Sequence, residues 1–202
     1  MKATGIVRRI DDLGRVVIPK EIRKTLRIKE GENLEIFIDD KENVVLKKYS
    51  LMNKIEDFAQ NLTDTLNSFL KHNIIITDND SIIAASGKYK KKYLNKSISS
   101  SLENMLFRRE KVLENYNKKI SLINEEEIEV TYAVSTIISN GDITGLVIIF
   151  DDEALIDETD FQICQIVSNF LGKHLEDWVV VCYNTANTGL DGKKNKIVLK
   201  RV

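Results

Sequence analysis

The chain has 202 residues, of which 43% are hydrophobic and 30% charged, and its 30 Lys and Arg nearly balance its 31 Asp and Glu. This composition is typical of a folded globular protein and excludes disordered and fibrous classes. The longest apolar runs, residues 146–150 and 178–183, are far shorter than the roughly 20 residues of a membrane-spanning helix, so we expect no membrane contact. We also expect a cytoplasmic protein, because the first residues lack the apolar core of a signal peptide.

The near-neutral total hides an uneven distribution of charge. Residues 1–50 carry 12 Lys and Arg against 9 Asp and Glu, a net charge of +3, whereas the other 152 residues carry 18 against 22, a net charge of −4. Residues 1–29 alone carry 9 against 3, a net charge of +6. Clustered arginine is typical of a phosphate-binding surface, because the guanidinium fork matches phosphate oxygens. A solvated basic face explains the same composition equally well.

The first 50 residues predict the order β-β-α-β-β. Strands are predicted at residues 5–10, 15–18, 33–38 and 44–48, and one short helix at 20–26. Asp11–Gly14 forms a turn, and Pro19 ends the second strand and opens the helix. So small a domain buries little apolar surface by itself, so we expect two copies to share one barrel. A helix-turn-helix is excluded, because no second helix of adequate length lies beside the first.

The run Gly5–Pro19, followed by Glu21–Leu26, closely resembles the N-terminal domain of the AbrB transition-state regulators, in the SpoVT/AbrB family. The likeness continues nearly to Tyr49 and includes Leu34–Phe37 and Leu46–Tyr49. Family members form an interleaved, swapped-hairpin β-barrel dimer that binds double-stranded DNA. The resemblance therefore implies a homodimeric, DNA-binding transcription regulator that associates with the nucleoid and serves a sporulation programme in a spore-forming bacterium.

The resemblance assigns the DNA contacts to Arg8, Arg15, Arg23 and Lys24, with Arg9 beside them. Lys24 stands where an arginine is common in the family, and a lysine keeps the charge but loses the planar fork. Arg8 and Arg9 are adjacent on a predicted strand and so point to opposite faces. The resemblance makes Arg8 the one that shares a DNA-facing surface with Arg15. We expect broad, AT-leaning specificity that comes partly from DNA deformability.

An amphipathic helix is predicted over residues 51–70. Its apolar residues recur at helical spacing: Leu51, Ile55, Phe58, Leu62, Leu66, Phe69 and Leu70. This stripe either packs against the second domain of its own chain or forms a seam between two chains.

The second part of the chain predicts an α+β domain. Strands are predicted at residues 73–77, 81–86, 119–123, 128–139 and 143–150, with helices at 97–109 and 157–177. Asn140–Asp142 predicts a tight hairpin turn, and the apolar run that follows it predicts a central strand. Residues 53–177 resemble the C-terminal GAF domain of two-domain family members, most clearly at Tyr93–Ser99 and at the hairpin turn. The resemblance implies a domain that assembles dimers into a homotetramer and can take a small-molecule ligand, which the sequence does not name.

Few other residues suggest chemistry. Lysines interleaved with tyrosines in residues 87–93 suit a second nucleic-acid patch or an acidic ligand, although a solvated loop is the commoner reason for such a run. Asp78–Asp80 resembles the start of a calcium loop, but Ile82 stands where the third oxygen ligand belongs, so we interpret it as a hairpin turn. His72 and His174 have no nucleophile or paired carboxylate pattern beside them. We therefore predict that the protein is not an enzyme and that it has no catalytic residue, cofactor or metal ion. Cys164 is expected in the core.

The resemblance stops after Asp177. We therefore expect a DNA-binding domain at residues 1–50, a connecting helix at 51–70, a GAF-like domain at 53–177 and a tail at 178–202. The tail is a lineage-specific extension, an extra strand pair or a non-native sequence. One alternative function stays open, namely a ligand sensor or an antitoxin-like module whose N-terminal domain serves assembly and binds a partner protein.

Overall fold

A computed structural model describes residues 4–28, 30, 34–48, 50, 52–124 and 126–186, and their side chains except those of 53, 54 and 177–186. The chain divides into two compact units, Met1–Tyr49 and Ser50–Val202. We call them the N-terminal unit and the C-terminal unit and describe each by itself.

The N-terminal unit contains one short helix and one β-hairpin. The elements are α1 (Lys20–Thr25), β1 (Leu34–Ile38) and β2 (Val44–Lys48). Pro19 precedes the first helical residue, as its fixed φ predicts. β1 and β2 are antiparallel, and the carboxylate of Asp39 closes their turn by accepting from the backbone N–H groups of Lys41 and Asn43. The predicted helix and both predicted hairpin strands are confirmed.

The strands predicted at residues 5–10 and 15–18 are wrong for the single chain. No strand lies within residues 4–19 of the structure. The turn between the two segments does form, with the N–H of Gly14 donating to the carbonyl of Asp11 at 2.9 Å and the N–H of Asp11 donating to the carbonyl of Arg15 at 3.0 Å. A strand needs a neighbouring backbone for its N–H and C=O groups, and beyond the turn the described chain supplies none.

The C-terminal unit is a five-stranded antiparallel sheet with helices on both faces. It begins with a 3₁₀ turn, Met52–Ile55, that leads into α2 (Glu56–Leu70). The strands are β3 (Asn73–Thr77), β4 (Ile82–Ser86), β5 (Lys111–Ile120), β6 (Ile128–Ser139) and β7 (Asp142–Asp151). The other helices are α3 (Lys90–Tyr93), α4 (Ser100–Phe107) and α5 (Glu158–Ala186). The strand order is β4-β3-β7-β6-β5, so β7 is the central strand, as its apolar run predicts.

The hairpin between β6 and β7 has the predicted turn. Asn140 and Gly141 both have positive φ, 50° and 85°, which is the backbone of a type I′ turn and favours Asn-Gly. The strands also approach very closely at Gly145. A Cβ atom there would lie 1.9 Å from the carbonyl oxygen of Thr77, so only glycine fits between β7 and β3.

Two hydrophobic clusters fill the two faces of the sheet. One lies under α2 and α5 and includes the buried residues Met52, Ala59, Ile74, Val147 and Leu171. The other lies under α3 and α4 and includes the buried residues Tyr93, Leu102, Ile148 and Phe150. Every residue of β3 and of β4 is buried. The sheet is therefore the centre of a core that one chain completes.

The apolar stripe of α2 packs against its own unit. Ile55 and Ala59 are buried in the first cluster, while Phe58, Leu62 and Leu66 are only partly buried against it. The amide of Gln60 also caps the edge strand β4, since its Nε2 donates to the carbonyl of Ala85 and its Oε1 accepts from the N–H of Ala85. Such a cap protects a sheet edge from pairing with a foreign strand.

Three elements differ from the sequence prediction. β5 begins at Lys111, whereas the sequence predicts a strand only from residue 119. The first part of the strand is not predicted because its residues are mostly exposed and show no alternation of apolar and polar side chains. α3 occupies a segment predicted as a loop. α5 continues past residue 177 to Ala186, so the start of the predicted tail is helical and its remainder, residues 187–202, lies outside the described residues. Within the described ranges, no helix is both long and apolar enough to cross a membrane.

Candidate nucleic-acid interface

The basic residues predicted to contact DNA lie on successive parts of the N-terminal unit. Arg8 and Arg9 lie on the segment before the turn, Arg15 ends the turn, and Arg23 and Lys24 lie in the last turn of α1. All are exposed except Arg23, which is half-buried. Exposed arginines of this kind can donate to phosphate oxygens without first losing a buried partner.

The turn that carries Arg15 is closed by the carboxylate of Asp11. Oδ1 of Asp11 accepts from the backbone N–H of Leu13 at 3.0 Å and from that of Arg15 at 2.8 Å. Gly14 has a φ of 75°, a conformation that a glycine adopts without steric cost. The sequence Asp-Asp-Leu-Gly therefore makes a turn with its own side-chain lock.

The same carboxylate also holds the Arg15 side chain. Nε of Arg15 donates to Oδ2 of Asp11 at 2.8 Å. The backbone and side-chain hydrogen bonds from Arg15 lower the pKa of the Asp11 carboxyl below its ordinary value, so the carboxylate is ionised at neutral pH. An exposed i, i+4 ion pair of this kind adds little to stability, and it joins the guanidinium to the carboxylate that closes the turn.

The helix that carries Arg23 and Lys24 is short and depends on its neighbours. Both basic residues lie in its last turn, where the helix dipole favours positive charge. The N–H of Ile28 donates to the carbonyl of Arg23 at 2.7 Å. Nζ of Lys48 on β2 donates to the carbonyl of Arg27 at 2.6 Å. These bonds fix the end of the helix against the hairpin.

One face of the β1–β2 hairpin is apolar and exposed. Alternate residues of a strand share a face, and the register pairs Ile36 with Leu46 and Ile38 with Val44. Ile36 is 68% exposed and Ile38 76%. This hairpin face consists of Leu34, Ile36, Ile38, Val44 and Leu46. A single copy of the N-terminal unit leaves it in water.

The lysine-tyrosine segment, residues 87–93, is tied down by ion pairs within the C-terminal unit. Its pairs are Lys88 with Asp152 at 2.6 Å and with Glu153 at 2.9 Å, Lys90 with Asp64 at 3.0 Å, and Lys92 with Glu126. The hydrogen bonds to Asp152 and Glu153 raise the pKa of the Lys88 ammonium. Carboxylates thus balance three of the four lysines of the segment, which makes it a poor second site for phosphates.

Of the tyrosines of this segment, Tyr93 is buried in the second hydrophobic cluster and Tyr89 packs partly buried against it. Tyr89 and Tyr93 stack with ring centroids 5.5 Å apart, and Tyr89 lies 5.6 Å from the ring of Phe150. Burial, together with the nearby carboxylate of Glu126, raises the pKa of the Tyr93 phenol. The prediction of a loop is wrong for residues 90–93, which fold as α3 over the second hydrophobic cluster. Lys88, Lys91 and Lys92 are exposed to solvent, as that prediction expects.

The other residues considered for chemistry have structural partners. Nδ1 of His72 lies 3.0 Å from Asp151 and its Nε2 lies 3.6 Å from Asp160. The ring of His174 stacks on Phe58, with centroids 4.7 Å apart. Cys164 is buried, as predicted, and burial raises the pKa of its thiol. No group of three or more His, Cys, Asp or Glu in the described part of the chain could hold a metal ion.

The acidic run Asp78–Asp80 forms the predicted hairpin turn. Oδ1 of Asp78 accepts from the backbone N–H of Asp80 at 2.8 Å and from that of Ser81 at 2.6 Å. The Asp78 carboxylate therefore closes the turn between β3 and β4.

The sequence predicts Asp11 as a turn residue but does not predict its bond to Arg15. The signal was present in the spacing, since a carboxylate and a guanidinium four residues apart with a glycine between them can meet across a tight turn. That spacing is usually considered only on helices.

Two family models match the chain, one in each unit. Residues 54–176 match the model described as "Stage V sporulation protein T C-terminal, transcription factor". Residues 7–52 match the model described as "Antidote-toxin recognition MazE, bacterial antitoxin". The first match covers more than half of the chain.

Individual proteins resemble one unit or both. Stage V sporulation protein T of Bacillus subtilis is 49% identical over 178 residues, which cover 87% of this chain and 99% of that protein. The transition state regulatory protein AbrB of Bacillus subtilis is 63% identical over 49 residues, which cover 24% of this chain and 50% of that protein.

Among solved structures, the GAF domain of the Acinetobacter phosphoenolpyruvate-protein phosphotransferase aligns with a TM-score of 0.51 and 13% identity over 72% of this chain and 90% of that one. At this identity the likeness shows the fold alone. The prediction of an α+β chain with an AbrB-like N-terminal part and a GAF-like C-terminal part is confirmed. With nearly half of its residues identical over almost the whole length of that relative, the chain belongs to the stage V sporulation protein T family.

Proposed function

We propose that this protein is a transcription regulator that binds double-stranded DNA as a dimer through its N-terminal unit. The observation that carries the proposal is the set of exposed basic side chains on a unit whose sequence is 63% identical to the transition state regulatory protein AbrB. The contacts are assigned to Arg8, Arg15, Arg23 and Lys24, with Arg9 beside them. Such a protein acts in the cytoplasm, on the nucleoid.

The exposed apolar residues of the N-terminal unit support pairing with a second copy. The apolar hairpin face is open to water, and so are Val16 and Val17, at 52% and 71% exposure, next to the turn that carries Arg15. Folded monomers rarely leave so many large apolar side chains uncovered. A two-fold partner covers the same residues on both copies and supplies strand neighbours for the segments on either side of the turn.

Pairing also explains how a unit of modest charge can bind DNA. Two copies present two sets of arginines, so the local positive charge doubles while the whole chain stays near neutral. Phosphate contacts set the affinity and the register on the duplex. Sequence preference then comes partly from how easily a given duplex deforms to meet both sets.

The test is the affinity of full-length variants for an AT-rich DNA duplex. Arg8→Ala and Arg15→Ala should each weaken binding, and Arg9→Ala, which removes the same charge from the neighbouring position, should weaken it less. Sedimentation must show that each variant keeps the dimeric or larger mass of the wild type. Unchanged affinity in dimeric Arg8→Ala and Arg15→Ala variants would refute the assignment.

We further propose that the C-terminal unit joins dimers into a tetramer through the face shared by α2 and α5. Phe58 on α2 contacts Phe170 on α5 with ring centroids 6.0 Å apart. Phe170 is 49% exposed and Ile166, one turn earlier, is 66% exposed. Ile166→Asp should convert the tetramer to a dimer that still binds DNA, whereas Leu155→Asp, at an exposed residue outside both helices, should leave the mass unchanged.

The GAF fold also supports a regulatory role for the C-terminal unit, and we propose that a small molecule is its input. Addition of the ligand should then change the affinity for DNA although the ligand binds only to the C-terminal unit. Screening for compounds that raise the melting temperature of the C-terminal unit, followed by DNA titration with each hit, tests this. Hits that stabilise the unit but leave DNA affinity constant would argue against sensing.

A second candidate function is an antitoxin-like module that binds a partner protein. It is favoured by the match of residues 7–52 to the antitoxin model. Affinity purification of the full chain from its native host separates the two functions. A toxin-like partner recovered in stoichiometric amount, together with weak DNA binding, would favour the second candidate.

A further inference from the structure

Asp11 is the acidic residue most intimately tied to the proposed DNA contacts. Its carboxylate accepts three hydrogen bonds, two from the backbone of the turn and one from the Arg15 side chain. Asp12, the next residue, is also exposed and carries the same charge, but no hydrogen bond or ion pair of its carboxylate appears in the described part of the chain. The two neighbours thus differ in geometry and not in charge.

The bond from Arg15 to Asp11 leaves the phosphate-binding end of the guanidinium open. It uses Nε, while the two terminal nitrogens, which carry the other four N–H donors, point to no acceptor among the described residues. The Arg15 side chain remains 70% exposed. A guanidinium held by Nε keeps a fixed plane and can still donate two parallel bonds to a phosphate.

Holding the side chain in advance lowers the cost of binding. A free arginine loses much rotamer freedom when it contacts a phosphate, and a residue that is already oriented loses less. Opposing this gain, a carboxylate near DNA repels phosphates, and removing it should by itself strengthen binding. The two effects have opposite signs, so an experiment can separate them.

We propose that Asp11 is a positioning residue for Arg15, so that removing its negative charge weakens DNA binding instead of strengthening it. This inference rests on the proposed DNA-binding function. The lowered pKa of the Asp11 carboxyl agrees with a carboxylate that stays ionised and bonded to Arg15 throughout the neutral range.

The test compares two acidic neighbours in the full-length protein. Asp11→Ala, Asp11→Asn and Asp12→Asn are titrated with a short AT-rich duplex, each in the wild-type and in the Arg15→Ala background. Asp12→Asn is the charge-matched control, and it should bind as tightly as the wild type or more tightly in both backgrounds. Asp11→Ala should weaken binding about 2- to 10-fold in the wild-type background, the range expected when one oriented side chain becomes free.

The Arg15→Ala background distinguishes positioning from a general loss of structure. Once Arg15 is gone, Asp11→Asn, which keeps the acceptor that closes the turn, should change affinity in the same direction as Asp12→Asn, because only the repulsion remains. A merely structural role would weaken binding in both backgrounds. Asp11→Asn keeps an acceptor for the turn but loses the charged partner of Nε, so it should also weaken DNA binding in the wild-type background. This variant keeps the test valid if Asp11→Ala misfolds.

Two results would overturn the inference while leaving the proposed function intact. Either Asp11→Asn strengthens binding as Asp12→Asn does, or Asp11→Asn weakens it equally in both backgrounds. Failure of the proposed function looks different, because the wild type itself would then bind the duplex weakly or not at all, and Arg15→Ala would behave like the wild type.

Discussion

The two units bury their apolar side chains in different ways. In the C-terminal unit, β3 and β4 are buried along their whole length and two hydrophobic clusters close on the sheet. In the N-terminal unit, no Ile, Val, Leu or Phe among the described residues is buried. The C-terminal unit therefore buries its core within a single chain. The N-terminal unit has the apolar residues of a core but no second layer to cover them.

This difference teaches that local structure and burial are separate requirements. The hairpin, the short helix and the Asp11 turn of the N-terminal unit form from bonds between residues close in sequence. The apolar residues on them gain stability only when water is removed from their surface. We therefore expect the stability of the N-terminal unit to depend strongly on protein concentration, and that of the C-terminal unit to depend on it only through the proposed interface of α2 and α5.

The largest effect should come from a charge on the apolar hairpin face. Ile36→Asp places a carboxylate where the proposed dimer buries an isoleucine, and an unpaired buried charge costs about 3–5 kcal/mol. We expect loss of the N-terminal interface, which leaves only the dimer joined by α2 and α5, together with loss of DNA binding, measured by sedimentation and by titration with DNA. Glu35→Gln, at the adjacent position on the opposite face, is the control and should retain both. An Ile36→Asp protein that keeps the wild-type mass and binds DNA would show that this face is not the interface.

A smaller effect, confined to the other unit, is expected from Gly145→Ala. The added Cβ would meet the carbonyl oxygen of Thr77 at 1.9 Å, so β7 and β3 must separate, which we expect to cost about 1–3 kcal/mol. Urea unfolding followed by circular dichroism should show this loss at every protein concentration, while DNA affinity stays near that of the wild type. A loss that varies with concentration would erase the contrast between the units.

The smallest effect concerns the acid stability of the C-terminal unit. Burial would raise the pKa of the Asp151 carboxyl, but the hydrogen bonds from His72 and from the backbone N–H groups of Glu153 and Ala154 outweigh it and lower that pKa. A lowered pKa stabilises the folded state above the ordinary value of about 3.9, and this stabilisation is lost as the pH falls through the folded-state pKa.

His72→Ala removes one of the groups that lower the pKa of Asp151. The stabilisation from the ionised carboxylate should then be smaller and should be lost over a narrower range of acidic pH than in the wild type, and near neutral pH the variant should be less stable by about 1 kcal/mol. Urea midpoints measured across the acidic range check both effects. His174, whose ring stacks on Phe58, is the control, and His174→Ala should lose as much stability on acidification as the wild type. A reduced loss equal to that of His72→Ala would count against the pairing with Asp151.

How far the sequence predicts each element depends on whether its determinants are local. β6, the Asn140–Gly141 turn and the central place of β7 could be predicted, because alternation, turn chemistry and apolar runs act within a few residues. β5 could not be predicted in full, since a strand with mostly exposed residues takes its structure from pairing with β6.

The candidate site follows the same division. The resemblance assigned the basic residues one by one, but the strands expected around the turn at Gly14 are not formed in a single chain, because their pairing needs a neighbour that the described chain does not supply. The bond between Asp11 and Arg15 escaped prediction for a different reason. It depends on the exact shape of a turn, and sequence patterns specify turns less precisely than they specify helices and strands.

The salt dependence of DNA binding tests the division of roles between the units most directly. Arg15→Ala in the N-terminal unit and Lys90→Ala in the C-terminal unit each remove one positive charge, and the lysine is paired with Asp64. We predict that Arg15→Ala lowers the slope of log affinity against log salt by about 0.9 for each phosphate that the arginine neutralises in the wild type, while Lys90→Ala leaves the slope unchanged. An equal reduction by Lys90→Ala, or an unchanged slope in a dimeric Arg15→Ala protein, would contradict the account.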